Sequence, residues 1–149
     1  MGKQNMKLST RTRYAVRAMI ELAQNEANRP LQLKIIAKRQ DISIKYLEQL
    51  MAVLRSAGLI RSVRGSRGGY TLARAANQIG LSDILHCLEG AITTVECVED
   101  GDRCARAAEC AARQVWMKVQ QAIDDVLQSI TLQDVVDMAK DGKHVDYQI

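Results

Sequence analysis

The run from Leu59 to Arg74 constrains the fold more than any other part of the chain. Leu59-Ile60-Arg61-Ser62-Val63-Arg64 alternates as a strand does, Gly65-Ser66-Arg67-Gly68-Gly69 reads as a turn, and Tyr70-Thr71-Leu72-Ala73-Arg74 alternates again. This predicts a β-hairpin in a chain whose other patterns are helical. The hairpin carries Arg61, Arg64, Arg67 and Arg74. A tip rich in Gly and Arg can approach a phosphate backbone closely and set a guanidinium in a minor groove. A solvated basic hairpin is the plainer alternative.

What precedes the hairpin favours the first reading. Tyr14, Val16, Met19, Ile20, Leu22 and Ala23 recur at near-helical spacing and predict an amphipathic helix over about residues 10–25. Pro30, the only proline, closes a turn. Leu33, Ile36 and Ala37 form the inner face of a short second helix within residues 31–40, broken by Asp41-Ile42. Ser43 is an N-cap candidate, since its hydroxyl can satisfy a free backbone N–H. Leu47, Leu50, Met51 and Leu54 then give a third helix, ended near Gly58 as a C′ glycine ends one. Two short helices on a tight turn, the second opening with polar residues, have helix-turn-helix spacing. A generic helical hairpin shares that spacing; the arginine hairpin that follows separates the two.

Downstream, Leu81, Ile84, Leu85 and Leu88 predict a short helix, followed by an acidic, cysteine-bearing loop of about fifteen residues. The longest helix is expected over about residues 105–129. Val115, Val119, Ala122, Ile123, Val126, Leu127 and Ile130 form its apolar stripe. Thr131 starts a short last helix with Asp134 at capping-box spacing, and the tail from Asp141 is polar and expected to fray. The long helix has little core of its own to cover. Its stripe is expected to pack on a second copy, with intrachain packing as the alternative. The organisation expected is a DNA-binding unit over 1–80, a loop and dimerisation helices over 81–140, and a polar tail over 141–149.

Charge follows the same division. The 149 residues sum to +4, but residues 1–80 hold 15 basic and 4 acidic side chains, a balance of +11. Residues 81–149 hold 6 and 13, a balance of −7. Such asymmetry points to a polyanion partner. With no Phe, one Trp and four Tyr, the chain is a poor stacking platform for single strands. No apolar run nears the roughly 20 residues that span a bilayer. The opening MGKQNMK has no apolar signal core, and Met6 stands where myristoylation needs Ser or Thr. A cytoplasmic protein with no membrane partner is expected. No catalytic constellation, nucleophile elbow or phosphate loop is present, and the chain is not expected to be an enzyme.

In a reducing compartment, cysteines are free, catalytic or metal-bound more often than bridged. Cys97, Cys104 and Cys110 lie within fourteen residues, among Glu96, Glu99, Asp100, Asp102 and Glu109. Three thiolates can converge on one soft metal centre. Their gaps of six and five residues are wider than those of zinc knuckles and suit an iron–sulfur cluster with a fourth, non-Cys ligand. A zinc site or a thiol redox switch is the rival. Cys87, in the helix before the loop, is expected to be a buried small hydrophobe, and His86 a partly buried helix residue.

Four motifs in order resemble the IscR-type winged-helix regulators over about residues 6–138: MKLSTRTRYAVRAM from Met6, ISIKYLEQL from Ile42, SVRGSRGGYTLAR from Ser62, and the spaced cysteines. The resemblance implies a mainly α fold with a small β-hairpin wing, a winged helix-turn-helix domain plus a long C-terminal dimerisation helix. It implies a homodimeric transcription factor bound to a double-stranded DNA operator and carrying a cluster on Cys97, Cys104 and Cys110, with 2Fe–2S favoured over 4Fe–4S and iron–sulfur assembly operons as targets. A clusterless thiol- or zinc-responsive relative is the alternative.

By the same resemblance, the recognition helix begins at Ser43, Ile44, Lys45 and Tyr46. Glu48 separates classes of DNA site, and its carboxylate can accept from a cytosine amine. Gln49 is placed to pair with adenine, Arg64 enters the minor groove, and Ser66, Arg67 and Gly68 complete the wing contact. Two positions depart from the family. Arg113 stands where a histidine ligand follows the last cysteine, and Arg13 where some relatives carry an acidic ligand. A guanidinium does not ligate iron. Acidic loop residues, His86 or a small molecule remain as the fourth ligand.

Overall fold

The structure, a computed structural model, describes residues 8–25, 29–90, 92, 105–106 and 108–145, with side chains to residue 142. Helix α1 (Thr10–Gln24) starts at Ser9, whose hydroxyl accepts from the Thr12 N–H at 3.3 Å, and it buries Thr12, Ala15, Ala18, Met19 and Leu22. Helix α2 (Leu33–Gln40) turns Ile36 and Ala37 inward. It stops at Asp41, held in the left-handed region (φ 52°) while the Ile42 N–H returns to the Ala37 carbonyl at 3.0 Å. Helix α3 (Ile44–Ser56) opens on Ser43 and buries Leu47, Leu50, Met51 and Leu54. Gly58 follows its C-cap with φ 75°, the conformation a C′ glycine supplies without strain.

Strands β1 (Ile60–Val63) and β2 (Gly69–Leu72) pair antiparallel, Ile60 opposite Leu72 and Val63 opposite Gly69. Leu31 joins Tyr70 through bonds of 3.0 and 2.9 Å, so the hairpin is tied to the segment entering α2. Gly69 must be glycine for this. A Cβ there would run into the Leu31 carbonyl.

A 3-10 turn (Ala76–Gln78) leads to α4 (Leu81–Glu89), then α5 (Ala111–Ser129) and α6 (Leu132–Val145). Gly80 and Thr131 form a bridge, with the Leu132 N–H donating to the Ile79 carbonyl at 2.8 Å. Leu132 is thereby fully buried with Met19, Ile36, Leu50, Ile79 and Ile84. Helix α6 packs on α1. Burial therefore crosses residue 80 even though charge divides there. Each such side chain contributes about 1.5–3 kcal/mol.

The predicted helices and hairpin appear, with three differences, while the acidic, cysteine-bearing loop lies largely outside the described residues. The long helix starts at Ala111 and not near Ala105; the Glu109 N–H bonds the Arg106 carbonyl at 3.1 Å in a turn, and Cys110 is the N-cap. The last helix is not short and the tail from Asp141 does not fray at once, because residues 141–145 hold one glycine and no proline. His86 is exposed, since the inner face of α4 is filled by Ile84 and Leu85. Cys87 is half-buried, and burial pushes its thiol above the ordinary value.

Candidate nucleic-acid interface

Two surfaces built by adjacent elements form the candidate interface. On α3, Leu47, Leu50, Met51 and Leu54 take the inner face, leaving Ile44, Lys45, Glu48, Gln49 and Ala52 exposed along the outer one. Ser43 is exposed and accepts from the Tyr46 N–H at 3.1 Å, so the helix start is fixed by a cap that itself faces solvent. Ile44 is 48% exposed, an apolar residue set among polar neighbours where a thymine methyl could meet it. Tyr46 is half-buried and meets Tyr14 of α1 edge to face, 6.2 Å between ring centroids at 88°.

The hairpin follows the C-terminal end of α3 in the chain. Arg61, Arg64, Ser66 and Arg67 are all exposed, and only Gly68 of the tip is buried. Its N–H donates to the Gly65 carbonyl at 3.0 Å, and a Cβ there would collide with the Val63 carbonyl. The turn is thus tight enough to present Arg64, Ser66 and Arg67 at its rim. Arg74 stands apart from them, 3.9 Å from the Asp83 carboxylate.

Of the three spaced cysteines, Cys110 lies among the described residues; Cys97 and Cys104 lie outside them. Cys110 is half-buried in an extended N-cap conformation and makes no side-chain cap bond. Three such sulfurs with carboxylates about them form a donor set suited to a soft metal centre, and the uncommitted Cys110 fits it. Among the described residues alone, no three His, Cys, Asp or Glu side chains converge as a metal site. Arg113 is half-buried in the first turn of α5 and engaged within the fold; Arg13 is exposed on α1, donating to the Thr10 hydroxyl at 3.3 Å.

Sequence reasoning missed the link between α4 and α1. The Glu89 carboxylate accepts from the Ser9 N–H at 2.7 Å and from the fully buried Thr12 hydroxyl at 2.6 Å. These bonds, the Ser9 contacts first, hold the Glu89 carboxyl below its ordinary value. Nothing local marks the pairing, since the partners are 77 and 80 residues apart. At shorter but still non-local range, 28 residues apart, Gln120 of α5 is buried and donates to the Ile92 carbonyl at 2.6 Å. No helix among the described residues is long and apolar enough to cross a membrane.

Known proteins share this architecture. The Rrf2 family model, described as an iron-dependent transcriptional regulator, matches residues 8–138. The protein Rrf2 of Nitratidesulfovibrio vulgaris is 42% identical over 131 residues, 88% of this chain and 87% of its own. The structure of CymR, the global cysteine regulator of B. subtilis, superposes with a TM-score of 0.77 at 41% identity, covering 89% of this chain and 97% of its own. The structure of T. potens IscR does so with a TM-score of 0.74 at 42% identity, over 95% and 93%. The wing, the helix-turn-helix and these matches together make the chain a member of the Rrf2/IscR-type family, a winged-helix, DNA-binding transcriptional regulator and not an enzyme.

Proposed function

We propose that this regulator binds operator DNA as a cytoplasmic homodimer and responds to iron–sulfur or redox status, with iron–sulfur assembly genes among its targets. The unit over 1–80 meets DNA. Helix α3 enters the major groove with Ser43, Ile44, Lys45, Tyr46, Glu48 and Gln49 at its surface, and Arg64, Ser66, Arg67 and Gly68 follow the backbone and minor groove. The observation that carries this reading is the exposed outer face of α3 followed directly in the chain by a hairpin whose Arg61, Arg64 and Arg67 are all exposed. Support for the dimer comes from α5, which leaves Val115, Trp116, Met117, Val119 and Val126 between 38% and 55% exposed.

Cys97, Cys104 and Cys110 would hold the cluster, 2Fe–2S ahead of 4Fe–4S. Bound there, it supplies a centre sensitive to oxidants. The chain's own part is mechanical. Gly90 and the cysteine-bearing segment follow Glu89 directly, and Glu89 grips the start of α1 through Ser9 and Thr12. Movement at the end of α4 therefore bears on the helix that supports α3. Anaerobic reconstitution with iron and sulfide tests the assignment. Visible charge-transfer bands that vanish on replacing the three cysteines are expected; no bands, or bands that survive, would refute it.

A second reading keeps DNA binding without a cluster. It is favoured by Arg113, a guanidinium in place of the histidine ligand, and by the likeness to a cysteine regulator. Metal analysis of anaerobically purified protein separates the two: iron with sulfide supports the first, zinc or no metal the second.

A further inference from the structure

Arg17 stands on the exposed face of α1, and among the described residues it makes no ion pair within 4.0 Å. Its guanidinium carbon lies 5.4 Å from the centroid of the Tyr14 ring. Tyr14 in turn meets Tyr46, a first-turn residue of α3, edge to face. The charge is thereby held beside the N-terminal end of the helix that faces DNA. Arg13, one turn earlier on the same side of α1, is exposed as well. Like charges at i, i+4 repel and weaken a helix unless an anion sits between them. The acid that could neutralise Arg17 within α1 is Glu21, at i+4, and it is occupied. Its Oε2 is 3.0 Å from Arg39, and its Oε1 accepts from Gln40 at 2.7 Å.

We infer that α1 adds a DNA-backbone site of its own, in which Arg17, held on the face of Tyr14, binds a phosphate of the duplex that α3 enters. The inference rests on the proposed DNA-facing role of α3. Stacking uses the flat face of a guanidinium and leaves its N–H edge free for two phosphate oxygens. A stacked guanidinium is already ordered and weakly hydrated, so less freedom is lost on contact. Because phosphates carry no sequence, Arg17 strengthens binding to every duplex alike.

The test is fluorescence anisotropy of the full chain on two labelled duplexes of equal length: one selected by the unaltered protein from a random pool, and one unselected. Affinity is measured across a range of KCl concentrations. Arg17→Ala is expected to weaken both by a similar factor, about tenfold, and to lower the salt slope by about 1.8, one phosphate for each copy of the dimer. Arg17→Lys should keep the slope, since the charge remains. An unchanged slope in Arg17→Ala, with Arg64→Ala lowering it, would overturn the α1 site and leave the α3 reading standing. If neither variant lowers the slope, both fall. A lower melting temperature in Arg17→Ala with an unchanged slope would make the residue structural and overturn the inference too.

Discussion

Helices α3 and α5 are both amphipathic, yet they spend their apolar faces differently. Over thirteen residues α3 buries Leu47, Leu50, Met51 and Leu54, and its polar face is left for a ligand. Over nineteen residues α5 fully buries only Gln120; Ile123, Leu127 and Ile130 of its stripe are half-buried, while Val115, Val119 and Val126 stay exposed. The first helix is finished by its own chain. On the second, Val115, Val119 and Val126 remain exposed among the described residues, which is the condition under which a symmetric partner contributes most. One helix therefore displays chemistry for a different molecule, while the other displays a surface suited to its own copy.

The comparison can be broken first at its buried side. Leu50→Ala should cost about 3 kcal/mol and lower the melting temperature by about 10 °C, read by circular dichroism, because the cavity opens in the shared core. Val119→Glu combined with Val126→Glu should do the reverse. The monomer should stay folded while DNA affinity falls about a hundredfold, as paired half-sites are lost. Equal thermal loss in the two variants would erase the distinction between the helices.

Smaller effects sharpen it. Glu89→Gln should cost about 1–2 kcal/mol, because the Thr12 hydroxyl is fully buried and loses a charged acceptor. Since the folded carboxyl is held below its ordinary value of 4.5, its contribution is present above that pH and lost as the pH falls through the lowered folded value. Thermal melts of both proteins from pH 7 downward should therefore converge at the acid end. At the DNA face, Glu48→Ala should alter base preference by about 1–3 kcal/mol at one position, measured by selection from random duplexes. Arg64→Ala should lower the salt slope by about two units on every duplex, one for each copy of the dimer.

Much of the DNA-facing side was legible from local pattern. The Ser43 cap, the left-handed stop at Asp41, the Gly58 ending and the glycines of the wing each have a short-range physical cause, and each appears where the pattern puts it. So does the Thr131–Asp134 capping box, whose reciprocal bonds measure 2.8 and 3.2 Å. What escaped is long in range or propensity-neutral. Ala105 to Ala112 are good helix formers throughout much of the run, so nothing in them marks Cys110 as the cap. The Glu89 grip on Ser9 and Thr12, and the contact of Tyr14 with Tyr46 at the start of α3, need the fold before they exist. Cys97 and Cys104, legible as a set with Cys110, lie outside the described residues.

The mass of the complex on a selected duplex, measured by light scattering after size exclusion, bears most directly on the two-helix division of labour. The expected result is two copies per duplex, falling to one or none with Val119→Glu and Val126→Glu while the free protein remains folded. A complex that keeps two copies after both substitutions would contradict the assignment of α5 to the second copy.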